Sequence, residues 1–566
     1  MPDNSPADEP RNSIIKETAE VTYRRQKIFV PRGITVAELM RLHPHPDDDE
    51  VLAAMMNNRV VSLAAKVVRS GVIEPVFHSS QHGARIYRHG LTMMLYEVFY
   101  TRHPSCRIRV GQAISEGYYF EVEGVKVTAE LLAGLRRDLK NLAAAKRPFV
   151  FQRVPVEEAR RIFAVGGYPV KRQILDTWPS SHVGIVRVGS FVDFCFGPAA
   201  PHTGHFSEFE LEAVDDDFIL RFPDPGNKEL LRIEGPQPKL YRTHKEARKW
   251  SDLLGISHVG GLNAACIDGS IREVIKVSEG LHEKRISAIA DEIAARPDRR
   301  LVFIAGPSSA GKTTFTKRLS IQLLVNGKRP LMMSLDNYYV DRESTPRDEN
   351  GAYDFEALEA VDLPLFNEHL TRLLAGERVA SPRYDFAKGT RVPERDFSPM
   401  QLGPDQVVIV EGIHGLNDAL TPAIPKDRKY RVYVNALNPL AIDDHNRLNT
   451  SDTRLIRRIV RDRHYRGYSA GQTIDSWHSV RRGERRHIFP FQESADVMFD
   501  TSLIYEFSVL KIFAERYLLE VTRDQPAFAE AYRLRKFLSM FVTVLPGDVP
   551  HTSLIREFIG GSSFSY

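Results

Sequence analysis

The residues with the clearest chemistry form a short glycine-containing segment after residue 305. Gly306-Pro-Ser-Ser-Ala-Gly311-Lys312-Thr313 fits the pattern GxxxxGK[ST]. Glycines let backbone N–H groups curl around phosphate oxygens at the start of a helix, where the helix dipole favours anions. Lys312 can reach a transferring phosphoryl group, and the Thr313 hydroxyl can bind Mg²⁺. We therefore expect ATP and Mg²⁺ at this loop, with contacts from Gly306, Pro307, Ser308, Ser309, Ala310, Gly311, Lys312, Thr313 and Thr314.

The sequence on either side supports a phosphate-binding loop. LVFIA, before it, is an apolar run typical of a buried strand, and TTFTKRLSIQLL, after it, has the pattern of an amphipathic helix. The alternative is an ordinary glycine turn with an exposed lysine. That alternative is much less favoured, because the strand and the helix flank the loop on the sides that phosphate binding requires.

Two acidic residues follow other predicted strands. Asp336 comes directly after LMMSL, and Glu411 comes directly after QVVIV. In open α/β sheets, ligands bind beyond the carboxyl ends of the strands. Either carboxylate could hold Mg²⁺ or accept a proton from an attacking hydroxyl. A turn or helix-cap role is the alternative for each, and the neighbouring phosphate loop makes the chemical role the favoured one.

A strongly basic segment lies between residues 454 and 486. It contains ten arginines and three acids, a local charge of +7 within a chain whose net charge is +4. Arg454, Arg458 and Arg461 share a helical face. Such a segment is commonly a solvated surface, but guanidinium groups also bind phosphate oxygens in pairs. We favour a lid that closes over the triphosphate.

The order of the elements defines the fold class. After residue 300, short apolar strands alternate with helices, a pattern that predicts a parallel sheet with helices on both faces. Before it, two α+β segments precede a charged helix. The length of 566 residues suggests about three to five domains. Three separated cysteines, an acidic start and the lack of a long apolar run favour a cytoplasmic chain that does not span a membrane.

Five motifs after the loop occur together in a known family. In order they are SLDNYYVDR, GAYDFEALEAVDL, SPRYDFAKGTR, VVIVEGIHGL and IRRIVRDRHYRG. This set resembles the uridine kinase and phosphoribulokinase family. The resemblance implies that Asp336 is the general base and that Arg461 and Arg466 are lid arginines on the nucleotide. It also implies acceptor contacts, which are made by Tyr339, Asp354 and Tyr384. From the residues themselves, we expect Thr313 and Glu411 to organise Mg²⁺, directly or through water.

One position departs from this family. Uridine kinases read YxFxxHTR, with a histidine near the base, whereas this chain has Gly389 there. The change removes a polar contact to a pyrimidine and leaves the identity of the acceptor open. The alternatives are a nucleoside, which the Tyr384 motif favours, and a phosphorylated sugar.

The N-terminal half resembles a different family. RHGLTMM, RVGQAISEGYYFEV and VDFCFGPAAPHTG are similar to the second additional, editing-type domain of threonyl-tRNA synthetase, and residues 20–80 are similar to its β-grasp TGS domain. That family has HxxxH and CxxxH pairs. Here His89 and Cys195 remain, while Met93 and Ala199 replace the later histidines. We expect a repurposed module, with His89 and Cys195 in ordinary core packing.

These observations combine into a division of the chain. We predict a disordered lead (1–18), a TGS-like β-grasp (19–80), an editing-like α+β domain (81–255), a helical linker (256–299), a kinase (300–525) and a C-terminal extension (526–566). The expected activity is ATP-dependent phosphoryl transfer to a hydroxyl of a nucleoside-like small acceptor. A tRNA-associated P-loop switch and a sugar-phosphate kinase are the alternatives. A nucleic-acid partner is less favoured, and homo-oligomerisation stays open.

Overall fold

A computed structural model describes residues 18–114, 117–226, 237–348, 351, 353–385 and 388–565. The lead predicted for residues 1–18 lies outside these ranges apart from Thr18. Within the described ranges, no helix is both long and apolar enough to cross a membrane.

The first module is a mixed sheet of five strands with one helix. Its elements are β1 Thr18–Tyr23, β2 Gln26–Pro31, α1 Val36–Leu42, β3 Ala53–Met56, β4 Val60–Val61 and β5 Gly71–Val76. The strand order is β2-β1-β5-β3-β4, with β1 and β5 parallel at the centre. Thr35 and Glu38 form a capping box that begins α1. This arrangement confirms the β-grasp prediction.

The second module contains two antiparallel sheets around a buried helix. Its elements are α2 Gln81–Arg102, β6 Arg107–Ile114, β7 Gly117–Glu123, α3 Ala129–Ala144, β8 Val150–Pro155, α4 Val156–Val165, α5 Pro169–Leu175, β9 His182–Val188, β10 Phe191–Phe194, β11 Glu210–Val214 and β12 Asp217–Arg221. The sheets have the orders β10-β9-β8 and β11-β12-β7-β6. Leu91, Leu95 and Phe99 of α2 are fully buried between them. The predicted α+β class is confirmed.

Three helices then lead to the last module. They are α6 Pro238–Leu253, α7 Val259–Asp268 and α8 Ile271–Ala294. The sequence predicts a single charged helix here, which corresponds to α8, and it does not predict α6 or α7. Gly269, with a φ of 85°, ends α7 in the left-handed region that glycine adopts most readily.

The last module is built on a parallel sheet. Its strands are β13 Leu301–Ala305, β14 Arg329–Ser334, β15 Arg378–Ser381, β16 Tyr384–Asp385, β17 Thr390–Arg391, β18 Ser398–Gln401, β19 Gln406–Glu411, β20 Lys429–Asn435 and β21 Val497–Asp500. Its helices are α9 Lys312–Val325, α10 Leu363–Leu374, α11 Thr450–Tyr465, α12 Ala470–His487, α13 Glu506–Leu519, α14 Phe528–Leu538 and α15 Arg556–Ile559. Five strands pair in parallel in the order β14-β19-β13-β20-β21. They are the five strands that the sequence predicts.

Alternate residues of β13 enter two different cores, because successive side chains of a strand point to opposite faces. Val302 and Ile304 pack on the face covered by α8 and α9, whereas Leu301 and Phe303 pack on the face covered by α10. Helices therefore cover both faces of the sheet, and the predicted α/β architecture is confirmed.

The loop between β20 and α11 joins the N-terminal and C-terminal modules. In this loop, Asp443 accepts a hydrogen bond of 2.9 Å from the Nζ atom of Lys171. Lys171 belongs to α5 and is almost fully buried. Asp444 accepts 2.8 Å and 2.9 Å bonds from Nη2 of Arg107 on β6. Buried charges require such pairing, so the two halves meet through a built interface.

Candidate active site

The phosphate loop joins the central strand β13 to α9. A Cβ atom on Gly306 would lie 1.9 Å from the carbonyl oxygen of Val434 on β20, so only glycine allows the loop to approach that strand. Ser309 and Gly311 have φ angles of 57° and 85°. Lys312 Nζ donates to the carbonyl oxygens of Gly306 at 2.9 Å and Pro307 at 3.2 Å. The lysine therefore folds over the loop that it belongs to.

Thr313 and Glu411 meet because β19 lies beside β13. The Thr313 hydroxyl donates a 2.8 Å hydrogen bond to Oε1 of Glu411. Burial raises the pKa of Glu411 to about 7, and the nearby Lys312 charge opposes that rise. A hydroxyl beside a carboxylate is a set of hard oxygen ligands that suits Mg²⁺, which usually keeps several waters and takes its other ligands from phosphates. Within the described ranges, no group of three or more His, Cys, Asp and Glu residues is arranged to hold a metal.

Asp336 lies in the short helical turn that follows β14. Its side chain is hydrogen-bonded to the Tyr339 side chain. Burial raises the pKa of Asp336, and the Lys312 and Arg466 charges oppose that rise. The ring of Tyr384 stands edge-on to that of Tyr339, with 5.8 Å between centroids. Asp336, Tyr339 and Tyr384 therefore form one continuous wall that extends from the phosphate loop.

Asp354 enters the same region together with Glu356, a residue that the sequence does not single out. Oδ1 of Asp354 accepts a 3.1 Å hydrogen bond from the Glu356 amide. Burial and the Glu484 charge raise the pKa of Glu356 to about 7, and it also lies within electrostatic reach of Lys312. A Cβ atom on Gly483 of α12 would lie 2.5 Å from the Glu356 Cβ. The glycine therefore makes room for Glu356 against α12.

Arg342 fills the space at the position where the chain departs from the uridine kinase pattern. Gly389 has a φ of 75°, and a Cβ atom there would lie 2.6 Å from Arg342 Nε. The Arg342 amide also donates a 2.8 Å hydrogen bond to the Gly389 carbonyl. Arg342 lies close enough to Tyr384 to act on its pKa, which burial raises. A guanidinium therefore stands beside Gly389 and near Tyr384.

The basic segment forms α11 and α12, and two of its arginines contact the phosphate loop directly. Arg454 Nη1 donates to the Ser308 carbonyl at 3.1 Å, and Arg458 Nη1 donates to Ser308 Oγ at 2.8 Å. Glu484 forms a buried ion pair with Arg454 and accepts a 3.2 Å bond from the Ser308 amide. Arg457, by contrast, is fully buried and pairs with Glu506 at 2.6 Å. The ten arginines therefore have different environments.

Arg461 and Arg466, the predicted lid arginines, both contact Asp462. Their guanidinium nitrogens lie 3.3 Å and 3.5 Å from its Oδ1 atom. Burial and the Arg466 charge lower the pKa of Arg461. Arg466 also acts on Asp336 electrostatically. Both arginines therefore border the region that contains Asp336 and the phosphate loop.

Thr314 is the loop residue whose side chain contacts the C-terminal end of the chain. Its hydroxyl donates a 2.7 Å hydrogen bond to Glu557, and its amide donates to the same oxygen at 3.2 Å. Sequence reasoning does not find Glu557, Glu356 or Glu484. The one signal for Glu484 is its place among the ten arginines, as one of the three acids of the basic segment. The structure otherwise brings the predicted loop, base, acceptor and lid residues into one region.

The residues that resemble an editing site lie in the second module. Burial lowers the pKa of His89 on α2 to about 4. Cys195 donates to the Gly197 carbonyl at 2.8 Å, and His202 stacks on His205 with 4.4 Å between centroids. Among the described residues, these three side chains share no hydrogen bond.

Comparison with known proteins gives a different result for each half. The chain is 28% identical over 215 residues to a threonine–tRNA ligase of Rubrobacter xylanophilus. The aligned region covers 38% of this chain and 32% of that protein. It is 31% identical over 186 residues to threonine–tRNA ligase 1 of Bacillus subtilis, which covers 32% of this chain and 29% of that protein. The chain therefore spans about a third of the length of these curated relatives.

The C-terminal half is similar to kinases. A structure of a possible uridine kinase from Bacillus stearothermophilus aligns with 38% of this chain and 98% of its own, at 21% identity and a TM-score of 0.24. Residues 301–504 match the family model described as Phosphoribulokinase / Uridine kinase family. Residues 301–504 therefore form a P-loop domain that matches the phosphoribulokinase and uridine kinase family, and the chain also carries a region similar to threonine–tRNA ligases.

Proposed function

We propose that this protein is an ATP-dependent kinase that transfers the γ-phosphoryl group to a hydroxyl of a nucleoside-like small acceptor. One observation carries the proposal. The Asp336 carboxylate, which is hydrogen-bonded to the Tyr339 side chain, lies within electrostatic reach of Lys312 on the phosphate loop. A base beside the donor phosphate is the arrangement that phosphoryl transfer to a hydroxyl requires.

The loop, the base and the lid arginines have different roles in the transfer. Loop amides and Lys312 hold the β- and γ-phosphates and stabilise charge that develops on their oxygens. Asp336 accepts the proton of the attacking hydroxyl while a new bond forms between the acceptor oxygen and the γ-phosphorus. The bond from that phosphorus to the oxygen bridging to the β-phosphate breaks, and ADP leaves. Arg461 and Arg466 would contribute positive charge from the side of the lid.

Thr313 and Glu411 are the protein ligands that we propose for Mg²⁺. The Thr313 hydroxyl and the Glu411 carboxylate, 2.8 Å apart, would hold Mg²⁺ directly or through water. When bound, Mg²⁺ neutralises negative charge on the phosphates. Glu411 must be ionised for this role; burial raises its pKa to about 7 in the metal-free protein, and a bound cation would favour the ionised form.

The charge of the acceptor wall favours a neutral acceptor over a sugar phosphate. Asp354 and Glu356 add carboxyl groups beside Asp336 of that wall, and a phosphate ester would be repelled by the ionised ones. Arg342, near Tyr384, instead offers donors to a carbonyl group on the acceptor. These two features support a nucleoside or a similar polyol that carries a carbonyl-bearing ring.

The test is a steady-state assay of the full chain with ATP, Mg²⁺ and a panel of nucleosides, free sugars and sugar phosphates. We expect one neutral acceptor to be phosphorylated. Asp336→Asn should lower kcat at least about 100-fold and leave ATP binding intact, whereas Asp427→Asn, at an exposed position, should match the wild type. ATP consumption that is independent of every acceptor and unchanged in the Asp336 variant would refute the proposal.

A tRNA-associated switch is the second candidate, and the similarity to threonine–tRNA ligases is the observation that favours it. This candidate predicts salt-dependent retention of tRNA by the full chain, because phosphate contacts weaken as salt rises. A gel-shift assay at low salt tests it. Retention that competes with neither ATP nor the acceptor would make RNA binding an additional property, and no retention would remove this candidate.

A further inference from the structure

The C-terminal segment, residues 551–565, lies against the phosphate loop. The side chain of Leu554 covers Gly311 so closely that a Cβ atom on the glycine would lie 2.5 Å from Leu554 Cδ2. The Phe558 ring lies 5.2 Å below the guanidinium of Arg457 on α11. Near the end of the segment, the Ser565 carbonyl accepts a hydrogen bond from Lys317 on α9. The segment therefore contacts the first turns of α9 and the middle and last turn of α11.

Glu557 makes the contact with the clearest chemical meaning. Its Oε2 atom accepts hydrogen bonds from the Thr314 amide at 3.2 Å and from the Thr314 hydroxyl at 2.7 Å. The Thr314 amide is one of the first N–H groups of α9, which have no partner within the helix. Such groups after a phosphate loop are the ones that cradle α- and β-phosphates. A carboxylate is therefore bound where this loop offers donors to phosphate.

The surrounding charges match this interpretation. Glu557 is close enough to Arg461 to raise its pKa, and close enough to Glu411 to raise that pKa too. It therefore lies within electrostatic reach of both a predicted phosphate-binding arginine and the predicted magnesium ligand. Only 8% of Glu557 is exposed, so its charge is held in place by the protein and not by solvent.

We infer that the C-terminal segment is an internal ligand of the phosphate loop, and that the Glu557 carboxylate competes with a phosphate group of the nucleotide. The inference rests on the proposed nucleotide site. One N–H group makes one strong hydrogen bond, so the Thr314 amide cannot serve Glu557 and a phosphate together. The Glu557 carboxylate and a phosphate group, both bound at the Thr314 amide, would also repel each other. Nucleotide binding must therefore displace Glu557 from Thr314.

The first experiment compares two single-charge variants of the full chain. Glu557→Gln removes the competing charge, whereas Asp548→Asn removes a charge from a neighbouring exposed position, where Asp548 pairs with Arg272 at 3.3 Å. Equilibrium binding of MgATP is measured by calorimetry. We expect Glu557→Gln to bind at least fivefold more tightly than the wild type and Asp548→Asn to bind equally. Equal or weaker binding by Glu557→Gln would overturn the inference.

The second experiment needs no variant, so it remains decisive even if Glu557→Gln folds poorly. Hydrogen exchange of residues 551–565 is measured in the wild type, with and without saturating MgATP. Competition predicts slow exchange that becomes faster on binding. Unchanged or slower exchange would show that the segment braces the loop, and the inference would fail.

These results separate the inference from the proposed function. Tighter binding by Glu557→Gln without phosphorylation of any acceptor would support competition and refute the kinase assignment. Phosphorylation by the wild type with no change in KM for ATP in Glu557→Gln would support the kinase and refute competition.

Discussion

Glu411→Gln should stabilise the free protein while it impairs magnesium binding. Burial raises the pKa of Glu411 from the usual 4.5 to about 7. Between these two values the folded chain holds a proton that the unfolded chain has lost, so the free energy of unfolding falls as pH rises through this range. Above pH 8 the carboxylate is ionised in both states, and the full cost of burying its charge lowers the free energy of unfolding. Glutamine keeps an oxygen that can accept the hydrogen bond from Thr313 but carries no charge to bury.

The size of the effect follows from the two pKa values. A difference of about 2.5 between them corresponds to about 3 kcal/mol at 1.36 kcal/mol for each unit of pH. For a module of this size, that free energy raises Tm by roughly 6–12 °C. The variant should therefore unfold at a higher temperature than the wild type at pH 8, and the gap should close as the pH is lowered to 5.

The assay is calorimetric unfolding at pH 5, 6, 7 and 8, with Glu394→Gln, an exposed position, as the control. Because wild type and variant differ at one titrating group, the pH dependence of their difference reports on Glu411 alone. A lower Tm for Glu411→Gln at pH 8, or a gap that stays constant with pH, would refute the reasoning. In a parallel titration, the variant should need more Mg²⁺ than the wild type to bind ATP.

Three further substitutions test the interior and the metal pair. Arg457→Ala leaves the Glu506 carboxylate buried without its partner and should lower the free energy of unfolding by about 3–5 kcal/mol; denaturant titration measures it, and a loss under 1 kcal/mol would contradict it. Lys171→Met removes the cation that the buried carboxylates of Asp193 and Asp443 share across the two halves of the chain. The two halves should then unfold in two calorimetric transitions in place of one, and a single unshifted transition would contradict a role of Lys171 in joining them. Thr313→Ala should raise the Mg²⁺ concentration at half-maximal activity about tenfold, whereas an unchanged value would remove Thr313 from the metal site.

Local patterns were enough to predict the scaffold of the site. The five sheet strands, the phosphate loop and the positions of Asp336 and Glu411 all follow from short apolar runs and from the residues that end them. Each of these signals is complete within about ten residues. The parallel order then places the strand ends together without any further information.

Contacts between distant segments could not be predicted in this way. Glu557 and Thr314 are 243 positions apart, and nothing in either local pattern links them. The arginines show a different limit: Arg457 and Arg458 are neighbours in a basic run, yet one is fully buried and the other reaches Ser308. Successive residues of a helix point about 100° apart, so only the packing of α11 decides which of them meets the loop.

The burial of α8 determines where this chain can be divided. Ile286, Ile289 and Ile293 lie in the same core as Phe315 and Leu319 of α9. A fragment that begins at residue 301, where the family match begins, would expose that apolar face to water and should aggregate. A C-terminal fragment for expression should therefore begin before Ile271. In evolutionary terms, the helix makes the fusion hard to reverse, because gene fission at the family boundary would separate α8 from the core that it shares with α9 and the C-terminal sheet.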